Sequence, residues 1–196
     1  MKYNLMLKIY GKFYSDFIKK DINDRSKMKA VKKEYRKIME RADDIGANNN
    51  LLSSYSLGAF FISCCRNLDL SPEEIFKIIE TNIKKSKMFK SLMGDAKSYV
   101  SEKRRAARRE WSKETKERKY KNDWVVDIKE DDPNWYEIDY HECGVCKLFK
   151  QEGCFELAKY LCKLDFVIAE VIGLDLHRSQ TLAEGGSMCD FRYKIK

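Results

Sequence analysis

Five of the seven cysteines lie in the last third of the chain, between His141 and Tyr193, where they are interspersed with acids and two arginines. A thiolate is a nucleophile, a carboxylate can grip a cation or move a proton, and a guanidinium binds carboxylates. The groups with such chemistry are Cys143, Cys146, Cys154, Cys162, Asp165, Arg178, Thr181, Cys189, Asp190 and Arg192. The candidate catalytic set is Cys162, Asp165, Cys189 and Asp190, and the candidate substrate-binding set is Arg178, Thr181 and Arg192.

Asp165 is an acid on the apolar side of a helix-like stretch. At helical spacing it neighbours Leu161, Leu164 and Ile168, so its carboxylate should face the interior, where a charge is costly unless paired. Cys162 lies three residues earlier, on the same side. One interpretation is a reactive thiol–acid pair. The other is a small core residue beside an acid that binds nearby backbone or an arginine.

A two-glycine turn, Glu184 to Ser187, predicts a terminal hairpin. If Gly185 and Gly186 are its turn residues, Thr181 faces Asp190. One sheet face then carries Leu176, Arg178, Gln180, Leu182, Cys189, Phe191 and Tyr193. Polar groups on a core face need partners, which a ligand pocket could supply. The alternative is that Arg178 reaches past the sheet edge to solvent.

Two further interpretations concern the first cysteines. The Cys143–Cys146 spacing fits a zinc knuckle, but Cys154 and Cys162 run into a helix at a spacing no common finger uses, so no metal is expected. His141 should share the strand face of Cys143 and could activate it as a nucleophile. A strand end with two unrelated side chains is the simpler account.

These groups are positioned by a helical N-terminal part, residues 1–122. Apolar residues at helical spacing predict helices over 3–20, 28–38 and 51–65, the last buried on most sides. Ser71-Pro72-Glu73-Glu74 is a helix start with a capping box. A fifth apolar stripe runs from Phe89 to Tyr99. A loop is expected between Asp43 and Asn50.

Residues 123–196 are predicted to form a ββαββ unit. Alternating stretches at 124–129 and 135–141 flank a turn at 131–134. A helix over Phe155–Ile172 stops at Gly173, and strands Leu174–Ala183 and Met188–Ile195 follow. The fold class is therefore α+β with an antiparallel sheet, the two parts forming one compact domain.

The composition limits the function classes. The net charge of +8 is local, since residues 103–121 hold ten basic and three acidic residues. Their i,i+3 and i,i+4 charge pairs indicate a solvated helix, so nucleic acid is a disfavoured partner. No membrane span or signal peptide is visible, which predicts a cytoplasmic protein with mostly reduced cysteines. No cofactor is expected, and the oligomeric state stays open, a homodimer being compatible.

A series of short matches resembles the L-2-amino-thiazoline-4-carboxylic acid hydrolase family. The matching residues are Cys143, Gly153, Glu156-Leu157, Cys162-x-x-Asp165, Arg178-Ser-Gln-Thr-Leu-Ala-Glu-Gly-Gly186 and Cys189-Asp-Phe-Arg-Tyr193. The resemblance covers the C-terminal stretch, and the N-terminal helices fit only in general character. Family members often carry proline where this chain has Gly144.

The resemblance implies ring opening of a small cyclic amidine. Its C2 would be attacked by Cys162, Cys189 or an activated water, with Asp165 or Asp190 gripping the planar cation or acting as base. Arg178 or Arg192 would bind the substrate carboxylate. The alternatives are a ligand-binding or sensory module without turnover, and a basic-surface interaction protein.

Overall fold

The N-terminal helices are placed by their apolar stripes. The computed structural model describes residues 3–46, 49–129 and 135–196. Its first four helices are α1 (Leu5–Ile18), α2 (Arg25–Arg41), α3 (Leu52–Asn67) and α4 (Pro72–Lys85), as predicted. Ser71 and Glu74 form the expected capping box, each side chain bonding the other's backbone N–H. The expected loop before α3 is described except for residues 47 and 48.

The fifth apolar stripe is not one helix. It divides into α5 (Lys87–Met93) and α6 (Ala96–Tyr99). Gly94 between them has φ of +81°, a left-handed conformation that glycine adopts without strain. Asp95 caps α6 by accepting the Ser98 N–H at 2.7 Å. The basic segment forms α7 (Glu102–Lys116), whose Ser112 bonds the Val126 carbonyl of the sheet at 2.8 Å.

The four-stranded sheet is antiparallel, in the order β1-β2-β4-β3. Its strands are β1 (Val125–Lys129), β2 (Tyr136–Glu142), β3 (Leu174–His177) and β4 (Cys189–Ile195). Together with the helices, the sheet confirms the α+β class. The predicted turn at 131–134 lies outside the described residues.

The predicted strand Leu174–Ala183 is too long. β3 ends at His177 and pairs with β4 so that Leu176 faces Tyr193. This register is offset by two residues from the predicted hairpin, in which Thr181 faced Asp190. The Asp190 carboxylate instead accepts the N–H groups of Ser179 and Gln180, which takes them out of the strand ladder. An offset of two leaves each residue on its predicted face.

Two helices, not one, separate β2 from β3. The sequence prediction missed α8 (Gly144–Gln151), which begins directly after Cys143. The predicted helix over 155–172 is a 3₁₀ turn, Phe155–Leu157, followed by α9 (Ala158–Ile172). Gly173 ends α9 in a left-handed conformation, as expected.

Helix α9 lies between two hydrophobic cores. The larger core joins α1–α4 to α8 and α9 through residues such as Phe60, Phe149 and Leu164. The smaller core joins α9 to the sheet through residues such as Ile172 and Phe191. Polar side chains on α9 therefore sit close to both the helical part and the sheet. No described helix is long and apolar enough to cross a membrane.

Replacing Gly144 by alanine should destabilise the start of α8. A Cβ there would lie 2.2 Å from Leu51 Cδ2 and 2.4 Å from the Asn122 carbonyl oxygen, and backbone cannot yield cheaply. We expect Gly144→Ala to lower the free energy of unfolding by about 3 kcal/mol, measured by urea denaturation.

Gly58→Ala is the matched control. Its Cβ would meet only side chains, the nearest at 3.1 Å, and alanine favours the helical backbone of α3. Equal destabilisation by the two substitutions would contradict the steric account of Gly144.

Candidate functional site

A cavity of about 240 Å³ lies where α3, α8 and α9 meet strands β2 and β4. Four thiols line it: Cys143, Cys146, Cys162 and Cys189. The rest of the wall is mainly apolar and aromatic. Among the described residues that line the cavity, Asp165 is the single charged side chain. A pocket of this size is small for a drug-sized ligand, which needs roughly 300–1,000 Å³.

Asp165 is bound by Arg178. The Arg178 Nη1 donates to Asp165 Oδ2 at 2.9 Å, and its Nη2 donates to the Cys162 carbonyl at 3.0 Å. The guanidinium lies 4.9 Å from the ring centres of both Phe166 and Phe191. The guanidinium of Arg178 is therefore bound by a carboxylate, a backbone carbonyl and two aromatic rings. Arg178 neither reaches solvent nor is among the residues that line the cavity.

The two partners differ in exposure. The Arg178 side chain is 5% exposed, whereas the Asp165 side chain keeps 35% because it opens onto the cavity. Burial raises the pKa of Asp165 to about 6, and Arg178 opposes that rise. The described hydrogen bond to this carboxylate uses Oδ2. Oδ1 accepts none of the described hydrogen bonds.

Cys143 is the thiol whose surroundings favour the anion. It is the residue that precedes α8, where backbone N–H groups and the helix dipole favour negative charge. Although it makes no capping hydrogen bond of standard geometry, its pKa is lowered by the Cys146 thiol and N–H, the Trp124 indole and the Val145 N–H, which outweigh burial. Cys143 is partly exposed and lines the cavity.

The other three cavity thiols are held neutral. The pKa of Cys146 is raised because its thiol is the proton donor to Cys143 and because it is buried. Burial, with Asp165 nearby, raises the pKa of Cys162. Burial also raises the pKa of Cys189 to about 11, although its sulfur accepts the Leu182 N–H at 3.2 Å. These three thiols therefore stay protonated near neutral pH, where a neutral thiol is a poor nucleophile.

Asp190 lies on the opposite face of β4 from Cys189 and is not among the residues lining the cavity. It accepts the Ser179 hydroxyl at 2.6 Å and the N–H groups of Ser179 and Gln180 at 3.0 and 2.9 Å. Burial acts to raise its pKa, but these hydrogen bonds keep the pKa below its usual value. Asp190 therefore fixes the backbone that follows Arg178.

Thr181 and Arg192 also have structural partners. Thr181 is buried and caps the 3₁₀ turn Leu182–Glu184, its hydroxyl bonding the Glu184 carboxylate at 2.8 Å. Arg192 contacts Glu137 and Asp139, each at 2.7 Å. Neither is among the residues lining the cavity, so the structure does not bring the predicted substrate-binding set together there.

The sequence also suggested roles for His141, for a metal site and for the basic segment 103–121. His141 contacts Asp127 at 2.9 Å on the exposed sheet surface. The described residues contain no group of three or more His, Cys, Asp or Glu side chains that could hold a metal ion. Basic residues of the 103–121 segment pair with acids, for example Lys113 with Glu110 at 2.8 Å.

The sequence prediction placed Cys143 in its cysteine group but not in its catalytic set. The signal was present, since a Cys-x-x-Cys at a helix start is a known arrangement for lowering a thiol pKa. The sequence prediction assigned His141 and Cys143 to a strand end and included no helix directly after Cys143. Cys162, Asp165 and Cys189, in contrast, do line one cavity.

The structure thus defines an α+β protein in which four thiols and one paired carboxylate line a single cavity. The comparison with protein families identifies it further. The family model described as L-2-amino-thiazoline-4-carboxylic acid hydrolase matches residues 49–193, about three quarters of the chain. The chain belongs to this family. Searches of curated proteins and of solved structures found no match.

Cys143 should be the first cavity thiol to be alkylated at neutral pH. Thiolate is the reactive form, and Cys143 alone among the four has a lowered pKa. We expect iodoacetamide at pH 7 to modify Cys143 faster than Cys162 or Cys189 on the order of tenfold, measured by peptide mass spectrometry. The variant Cys143→Ser should lose this fast phase, and faster modification of Cys162 would contradict the assignment.

Proposed function

We propose that this protein hydrolyses a small cyclic amidine of the aminothiazoline type, opening the ring at the carbon that bears nitrogen and sulfur. The observation that carries the proposal is the convergence of Asp165 with the thiol of Cys143 on one cavity. Membership of the family supports the reaction class. The residue roles below follow from the chemistry of the groups.

Asp165 is the residue that grips the substrate. The amidinium is planar and presents N–H donors, one of which a carboxylate oxygen can accept in a charge-assisted hydrogen bond. Arg178 takes Oδ2 and leaves Oδ1 to the substrate. Arg178 also opposes the rise in the pKa of Asp165, and this favours the ionised carboxylate that binds the substrate.

Cys143 is the nucleophile in this proposal, in place of Cys162 or Cys189. Its thiolate adds to the ring carbon, the ring C–S bond breaks, and the departing sulfur takes a proton from a water molecule. The hydroxide so formed adds to the same carbon and expels Cys143 as thiolate, and the proton that the amidinium carried is released to solvent. The product is a urea-type compound that carries the freed thiol. The thiolate is regenerated, and the net change is addition of one water.

Turnover is tested with 2-aminothiazoline and its 4-carboxylate, following the ring-opened product by liquid chromatography. Cys143→Ser should lower kcat by at least about a hundredfold, since attack by an activated thiolate is lost. Cys162→Ser and Cys189→Ser should keep most of the rate, because their thiols are neutral. Cys65→Ser, outside the cavity, is the control.

Two outcomes would contradict the proposal. Folded protein that forms no product from either ring would favour the alternative of a binding module without turnover. A full rate in Cys143→Ser with a lost rate in Cys162→Ser would return the nucleophile to Cys162.

The grip by Asp165 predicts a pH dependence of cation binding. Because the pKa of Asp165 is raised to about 6, the carboxylate is protonated below that pH and ionised above it. The affinity for acetamidinium, which stays charged throughout, should fall roughly tenfold per pH unit below 6, measured by calorimetry. In Asp165→Asn the step near pH 6 should vanish. Asp175→Asn, an exposed acid on β3, should keep it.

A further inference from the structure

A second cavity, of about 360 Å³, adjoins the first. Six aromatic side chains from α1, α3 and α5 line it: Tyr10, Phe13, Tyr14, Phe17, Phe60 and Phe89. Among the described lining residues none is charged. The hydroxyl of Tyr14, one of the lining residues, donates to the Ser53 carbonyl at 2.9 Å. This apolar chamber therefore offers contact to hydrocarbon and little to a polar ligand.

The two cavities share four wall residues, Ser54, Leu57, Met93 and Ile168. Ile168 follows Asp165 by three residues on α9, so the two side chains are neighbours on one helix face. A ligand held by Asp165 would thus point its far end at the shared wall. Met93, an unbranched and flexible side chain, is well suited to yield there.

The first cavity offers no described cation for a substrate carboxylate. Arg178 is bound to Asp165 and stacked on two rings, and Arg192 is bound to Glu137 and Asp139. A carboxylate beside the gripped amidine would be desolvated without a partner, which is costly. A hydrocarbon group in the same position would gain contacts.

We infer that the site takes an amidine bearing an apolar tail, whose head binds Asp165 and whose tail passes Leu57 and Met93 into the apolar chamber. This inference rests on the proposed function and names its substrate class. On this inference, the chain does not require the carboxylate of the substrate for which the family is named.

Entry to the chamber is provided by α5. None of its residues is buried, and Met88 and Leu92 are 57% and 69% exposed. The helix ends at Gly94, whose positive φ makes it a turning point of the backbone. A loosely packed short helix over an apolar chamber can move aside at small cost, because few buried contacts are lost.

The test is a series of N-alkylguanidines from methyl to octyl, with dissociation constants from calorimetry. The guanidinium mimics the amidine head and resists thiolate attack. If the tail enters the chamber, each added methylene should tighten binding roughly fourfold until the chamber is filled. A dissociation constant independent of chain length would overturn the inference.

Variants separate the tail from the head. Met93→Trp should narrow the shared wall and abolish the dependence of the dissociation constant on chain length. Met88→Trp, on the same helix but lining neither cavity, is the matched control and should keep the dependence. If Met93→Trp keeps the dependence on chain length, the proposed route of the tail is wrong. Leu57→Phe, at the same shared wall, should also reduce this dependence.

Asp165→Asn should weaken every member of the series by a similar factor and leave the chain-length dependence intact. This outcome distinguishes the two proposals. Chain-length dependence without an effect of Asp165→Asn would overturn the proposed function and keep the apolar chamber. An effect of Asp165→Asn without chain-length dependence would overturn the apolar chamber as a tail site and keep the proposed function. Failure of every guanidine to bind would overturn both.

Discussion

The site depends on one ion pair, between Asp165 and Arg178. A guanidinium that is 5% exposed must be fully compensated, and here a carboxylate, a backbone carbonyl and two aromatic rings do so. Arg178 leaves the end of β3, and Asp165 stands on α9, so the pair ties the helix to the edge of the sheet. It also leaves a charged oxygen facing an otherwise apolar cavity.

The terminal Cys-Asp-Phe-Arg-Tyr block acts through both faces of β4. On one face Cys189, Phe191 and Tyr193 line the cavity, and Phe191 also stacks on Arg178. On the other face Asp190 holds the backbone after Arg178. Asp190 thus holds the segment directly after Arg178, although it does not line the cavity.

The four cavity thiols are the same chemical group, and their pKa values differ because their surroundings differ. Burial alone would keep all of them neutral. The hydrogen bond from the Cys146 thiol, followed by N–H groups at the start of α8 and the Trp124 indole, lowers the pKa of Cys143, while Cys146 keeps its proton. A thiol with a lowered pKa, three thiols with raised pKa values and one carboxylate therefore share a cavity of about 240 Å³. The aromatic chamber adjoins this cavity through four shared wall residues.

Helical and alternating periodicities in the sequence were sufficient for α1–α4, the two strands of residues 123–142, the stop at Gly173 and the inward face of Asp165, because these are local properties. The same periodicities failed for α8, whose eight residues give too short a pattern. They failed at the end of β3, where the Asp190 side chain outcompetes the strand ladder for backbone N–H groups. The partner of Asp165 and the meeting of two cavities were decided by tertiary structure alone. Each arises from elements that are separate in the chain, and desolvation and charge pairing depend on distance in space. The lowered pKa of Cys143 is intermediate, because Cys146 and Val145 are local but the Trp124 indole comes from a separate segment.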